Sequence, residues 1–286
     1  AVLQLINQVT GPLSNISGYI PRYYTMIASA ERLMEALQFP DDFSGEVFSA
    51  DQAKEYYEND FLQIRLEKVK FAYQKKDEKG VFNSVDLAIR KGECAVITGP
   101  SGCGKTTFLK LLLGLYKPVS GEIILEGKED RKELTGAYRS LFAYVPQGNG
   151  LTSGSVRELI GGKENGSDEE GIRKALKLAC AEEFIDSLDE GIDTELKEKG
   201  SGLSEGQLQR LAIARAVYSG RKILLLDEVT SALDEQTEKR IISNLKEMTD
   251  KTIVIVTHRQ SALTIADRQI HCEEIEGQKE WTITER

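Results

Sequence analysis

Eight consecutive residues, Gly99, Pro100, Ser101, Gly102, Cys103, Gly104, Lys105 and Thr106, followed by Thr107, have the types and spacing to hold a chain of phosphates. The run fits the pattern G-x-x-x-x-G-K-[ST]. Its glycines permit the tight path that aims successive backbone N–H groups at phosphate oxygens. A helix following the loop would add its positive N-terminal end. Lys105 would reach the β- and γ-phosphates and pair with them in ground and transition states, and Thr106 would ligate Mg²⁺. A second group closes the apolar run Ile223-Leu-Leu-Leu-Asp227-Glu228. Asp227 would orient Mg²⁺ and its water shell, and Glu228 would be the general base that polarises an attacking water. Many strands end in an acid, so this pair gains weight from the phosphate loop. A third is His258, directly after Thr252-Ile-Val-Ile-Val-Thr257. A lone histidine is usually structural, but here three strand ends carry three functional groups, and His258 reads as a γ-phosphate contact. His271 has no such context and reads as structural.

These residues need elements to position them. Short apolar runs at 93–98, 141–145, 223–227 and 252–257, each followed by a helical pattern, predict buried parallel strands. Ligands of open parallel sheets bind at the carboxyl ends of the strands. Between 61 and 90 the texture alternates: Ile64 and Leu66, then Val69, Phe71 and Tyr73 on a shifted phase, then Val85, Leu87 and Ile89. The phase shift predicts a bulge or break. Residues 105–115 read as a helix. Ser204 with Gln207 matches a capping box and predicts a helix from Ser204 to about Ser219, before Gly220. Residues 40–60, polar, acidic and aperiodic, read as a linker, and 26–38 as a helix. Residues 1–21 carry no charge but scatter polar residues with Gly11, Pro12 and Pro21. They fall short of a lipid-facing span of about 20 mostly apolar residues. An amphipathic helix, or the end of a membrane helix facing other helices or water, are the two readings.

Composition bounds the rest. The chain has 286 residues, with 37 Lys and Arg against 46 Asp and Glu, a net charge of −9. That balance argues against a general nucleic-acid binder, which carries a basic face. A mean hydropathy of −0.33 excludes a polytopic membrane protein. Four cysteines without a CxxC pair, and two histidines, make neither a disulfide framework nor a zinc site. Cys103 stands near a helix N-terminus and Lys105, which favour thiolate; it reads equally well as a small residue filling a tight loop.

The segment Leu203-Ser-Glu-Gly-Gln-Leu-Gln-Arg-Leu-Ala-Ile-Ala-Arg-Ala-Val217 closely resembles the signature of ATP-binding cassette (ABC) proteins. Gln147 in Tyr144-Val-Pro-Gln147 matches that family's glutamine loop, Ser231-Ala-Leu-Asp234 its D-loop, and Thr257-His-Arg259 its switch-histidine segment. Tyr73 matches the aromatic that stacks on adenine, with a sheet-core role as the plain alternative. The match covers roughly 61–270, and residues 1–38 resemble the end of the last transmembrane helix of an exporter half. The resemblance implies an α/β P-loop cassette with a parallel core sheet, an N-terminal antiparallel β subdomain and a helical signature subdomain at about 148–214. It implies ATP hydrolysis with Mg²⁺, to which Gln147 would contribute. It also implies head-to-tail pairing with a second cassette, whose ATP Ser204, Gly206, Gln207 and Asp234 would meet, and a transmembrane domain at the cytoplasmic face of a membrane. A soluble ABC ATPase of repair or translation type is the alternative. Three departures stand out: Glu205 where glycine is commonest, Cys103 where serine is commoner, and a short, atypical tail after Asp267.

Overall fold

A computed structural model describes residues 2–38, 47–73, 80–148, 150, 153–162, 168–196, 202–275 and 278–285. The chain divides into two units, 1–44 and 45–286. The described residues of the first form one helix, α1 (Val2–Leu37). It runs through Pro12 and Pro21, so the helix expected at 26–38 is the end of a longer one. Proline holds φ at a helical value and costs a hydrogen bond where it lacks an N–H. Around Pro21, the Thr25 hydroxyl donates to the Pro21 carbonyl at 2.8 Å, and Ser29 repeats the contact to Thr25. Among the described residues no helix is long and apolar enough to cross a membrane.

The second unit begins with a correction. The stretch read as a linker contains α2 (Ala50–Asn59), which starts at a full capping box between Ser49 and Gln52. Its charged residues hid a short apolar face: Ala53, Tyr56 and Tyr57 are buried. Tyr57 stacks on Phe61 with centroids 5.1 Å apart and shares a 2.8 Å hydroxyl bond with Thr252. Burying such rings contributes about 1.5–3 kcal/mol each.

An antiparallel sheet follows, in the order β2 (Phe82–Arg90), β1 (Phe61–Phe71), β4 (Ser120–Gly127), β5 (Arg131–Glu133). The predicted bulge lies in β1: pairing slips between Leu66 and Val69, and Lys68 takes φ 50° while its N–H donates to Asp86. The core sheet has six strands, in the order β12 (Gln278–Glu285), β11 (Arg268–Ile275), β3 (Cys94–Thr98), β10 (Thr252–Val256), β9 (Ile223–Asp227), β6 (Phe142–Val145). The five from β11 to β6 are parallel: four are the strands that the apolar runs predict, and β11 is a fifth that they do not. The atypical tail after Asp267 supplies both β11 and β12, which pair antiparallel. Its Trp281 stacks on Phe108 of α3 (Lys105–Leu112), with centroids 4.9 Å apart.

Between β6 and β9, the described residues include a two-residue pair, β7 (Gly154–Ser155) with β8 (Glu195–Leu196), and the α-helices α4 (Val156–Gly161), α5 (Glu169–Leu178), α6 (Glu182–Asp186) and α7 (Glu205–Tyr218). Val156, Ile172, Leu176, Leu211 and Ile213 of these helices share one buried cluster with Val145 and Leu224 of the sheet. The chain then continues through α8 (Glu235–Lys246) and α9 (Gln260–Ile265). Mixed α/β layers with one parallel-containing core sheet and one antiparallel sheet are the expected fold class.

Candidate active site

Strands β3, β10, β9 and β6 are neighbours in that order and all run the same way. Their carboxyl ends therefore form one edge. After β3 comes Gly99, after β10 His258, at the end of β9 Asp227 and Glu228, and after β6 Gln147. Four segments scattered over some 160 positions of sequence thus meet by topology.

The phosphate loop begins at Gly99 with φ 145°, and a Cβ there would overlap the Cys272 carbonyl of β11. Pro100, Ser101 and Gly102 complete the turn, and Gly104 starts α3 with φ 109°. A glycine cap leaves the first amides of α3 uncovered by any cap side chain. Lys105 is buried, and its ammonium donates to the carbonyls of Gly99 at 2.8 Å and Pro100 at 3.0 Å. Cys103 is buried and packs beside Gly99, with Cys272 Sγ donating to its carbonyl at 3.4 Å; the packing matches the loop-filling reading of that residue. Tyr73 lies just past β1 and is exposed. Its hydroxyl is 2.7 Å from Thr107 Oγ1, and its ring meets Phe71 and Tyr116 edge-on. An exposed ring beside the loop is not a core residue.

Asp227 is almost fully buried. Burial pushes its carboxyl above the usual carboxylate range, while the nearby hydroxyls of Thr106 and Tyr144 pull it back by favouring the anion. Tyr144 donates to Oδ2 at 3.2 Å, and its own ionisation is pushed far up by burial and by Asp227. Asp227 Oδ1 is buried with no hydrogen-bond partner among the described residues. A buried carboxylate oxygen left open beside a threonine hydroxyl suits a small hard cation with oxygen ligands, such as Mg²⁺. Glu228 takes φ 51°, a left-handed conformation that costs a non-glycine residue about 1–3 kcal/mol and marks sites where geometry is imposed. Its N–H donates to the Val256 carbonyl of β10. His258 Nε2 is 3.3 Å from Oε1, and the Gln147 amide donates to Oε2 at 2.9 Å. His258, Glu228 and Gln147 are thus one cluster. His271, read as structural, bonds Thr98 Oγ1 through Nδ1 at 2.8 Å.

The remaining predicted residues sit where α7 meets 231–234. Ser204 caps α7: Gln207 N–H donates to Ser204 Oγ at 3.2 Å and Ser204 N–H to Gln207 Oε1 at 2.7 Å. Gly206 must be small, since a Cβ would stand 2.9 Å from the Ala232 carbonyl. Asp234 caps α8 by accepting from the Thr237 N–H at 2.9 Å, which holds its carboxyl below the usual range. Sequence reasoning passed over Gln209, a buried residue of α7. Its amide donates to Ser231 Oγ and accepts from the Ala232 N–H. It also passed over Tyr144. A tyrosine inside an apolar run carries no positional signal until its strand has neighbours.

Residues 82–231 match the ABC transporter family. The chain is 36% identical over 93% of its length to the leukotoxin translocation ATP-binding protein LktB of Mannheimia haemolytica, and spans 37% of that protein. It is equally similar to the lactococcin-A transport/processing ATP-binding protein LcnC of Lactococcus lactis, of which it spans 36%. Its fold matches a bacterial Atm1-family ABC exporter with ATP bound, with a TM-score of 0.72 and 27% identity over 86% of this chain and 42% of that one. The chain thus spans little more than a third of either of these two curated relatives. With the strand-edge cluster, the signature helix and a family match over more than half of its residues, the chain belongs to the ABC transporter family.

Proposed function

We propose that the chain binds ATP with Mg²⁺, hydrolyses it, and powers export through a transmembrane domain at the cytoplasmic face of a membrane. The observation that carries this is the alignment of four adjacent parallel strand ends: phosphate loop, His258, Asp227 with Glu228, and Gln147. The amides of Gly99–Thr107 and the N-terminus of α3 would bind the phosphates, and Lys105 would exchange its two loop carbonyls for phosphate oxygens. Thr106, Asp227 and Gln147 would hold Mg²⁺, which supplies charge neutralisation on the phosphates. Glu228 would take the proton of the attacking water, with His258 fixing one carboxylate oxygen and facing the γ-phosphate. Gln147 must first release the other oxygen. Tyr73, whose ring is exposed beside Thr107, would turn its face to adenine.

Ser204 opens α7 with a helix N-terminus, a ready anion site. It stands on a separate helical layer, which supports use of this end by the ATP of a second cassette, head to tail. Transport rather than a soluble role is supported by the relatives, whose names describe translocation and transport. The test is steady-state ATPase assay of the chain with Mg²⁺: activity is expected, with a loss of about 100-fold or more in Glu228→Gln at near-native ATP binding. Activity within a few-fold of native would mean that Glu228 is not the base.

A further inference from the structure

Glu238 is a fully buried carboxylate with no part in the chemistry described so far. It lies in the first turns of α8, and each of its oxygens serves a different catalytic loop. Thr230, two residues after Glu228, donates its hydroxyl to Oε1 at 2.6 Å. Ser261, three residues after His258, donates its hydroxyl to Oε2 in a short contact. Arg259 places Nη1 3.7 Å from Oε2 and sends Nη2 to the Ser231 carbonyl at 2.8 Å. A buried carboxylate is costly unless it is paired and fully hydrogen-bonded. Here the charge sits where the loop carrying the proposed base meets the loop carrying the proposed switch histidine.

The same junction holds the strained backbone of Glu228. A strained conformation persists only when its surroundings over-determine it, and the Thr230 and Ser261 bonds are two such restraints. The Ser231–Gln209 bond ties the same segment to the signature helix. We propose that Glu238 is a positioning residue: it clamps the Glu228 and His258 loops to one another, setting the register of base and histidine without touching nucleotide. The proposal rests on the ATPase reading above.

The test uses the 286-residue chain with Glu238→Ala, Glu238→Gln, Ser261→Ala and Thr230→Val. Small displacements of a reacting group cost up to about 100-fold in rate. Glu238→Ala should therefore lower kcat about 10- to 100-fold with ATP Kd within about threefold of native, the split expected for a group that acts only on the chemical step. Glu238→Gln, which can still bond both hydroxyls, should recover most of the loss. Ser261→Ala and Thr230→Val, which keep the core intact if Glu238→Ala does not fold, should each lower kcat at unchanged Kd, and should add little in the Glu238→Ala background. Amide hydrogen exchange gives a readout independent of turnover: the amides of 228–231 and 257–261 should lose protection together in Glu238→Ala and in Ser261→Ala. Native-like kcat in all variants, or equal losses of kcat and ATP affinity, or deprotection confined to one loop, would overturn the proposal. Absence of Glu228-dependent ATPase activity in the native chain would instead overturn the functional reading, with the exchange result still deciding whether Glu238 clamps the two loops.

Discussion

Asp227 is a single residue whose charge works against the fold. Burial raises its carboxyl pKa, so the folded chain disfavours the charge it carries at neutral pH. A raised folded value means the destabilisation is fully present above that value and vanishes as pH falls toward the unfolded value near 3.8. Asp227→Asn should therefore raise Tm at pH 7. The gain should shrink as the melt is repeated at lower pH, while Mg²⁺-dependent turnover is lost. A gain that grows on acidification would reverse the sign of the argument. Tyr73→Ala tests the other end of the nucleotide. Base–aromatic stacking is worth about 1–3 kcal/mol, and an exposed ring should give the low end, read as a several-fold rise in ATP Kd. Stacking does not read the base edge, so GTP should bind comparably to ATP, and a strong preference for ATP would contradict the assignment.

At the scale of the element, α2 and α7 make opposite demands on sequence. The capping box of α7 and its apolar residues announce a helix, and the helix forms where they say. In α2 the capping box is as complete, but the apolar face is three residues wide among Asp, Lys and Glu. Its burial comes from Phe61, just past its end, and from Thr252, distant in sequence. If α2 is part of the cassette core, Tyr57→Ala should destabilise the chain by about 3–5 kcal/mol, as large aromatic truncations do, measured by chemical denaturation. A change under 1 kcal/mol would return 50–59 to a linker. The bulge in β1 is the intermediate case. Its phase shift is visible in the alternation, while the reason, Lys68 turned toward Asp86, belongs to the pairing with β2.

At the scale of the whole molecule, the proposed head-to-tail dimer puts its own demand on Glu205. Glu205 is exposed in the first turn of α7, where a negative charge gains about 0.3–1 kcal/mol. In a closed dimer the same charge would approach the partner's phosphates, and like charges a few ångströms apart cost about 1 kcal/mol in water and more when desolvated. In a Glu228→Gln background, Glu205→Gly should tighten the ATP-dependent dimer seen by light scattering, most clearly at low salt. A looser dimer would show that Glu205 makes a favourable contact, and no ATP-dependent dimer in either variant would count against the pairing.

Local chemistry was legible in the sequence wherever one segment suffices. The phosphate loop needs only its glycines, lysine and threonine in order. The acid pair and His258 each announce themselves by ending an apolar strand, and Ser204 with Gln207 by capping a helix. The resemblance to ABC proteins rests on such runs, and the parallel core followed from them. What the tertiary structure decided are relations between segments. Strand order alone puts Gly99, His258, Asp227 and Gln147 at consecutive positions along one edge, since the chain visits those strands in the order β3, β6, β9, β10 and the sheet arranges them otherwise. The contact of Gln147 with Glu228, the Tyr144 hydroxyl on Asp227, the tie from Gln209 to Ser231 and the carboxylate of Glu238 between two loops all depend on side chains from different strands and helices sharing a few ångströms. Residue type carries no record of such neighbours. Periodicity reports which face of an element is buried, and only packing reports against what.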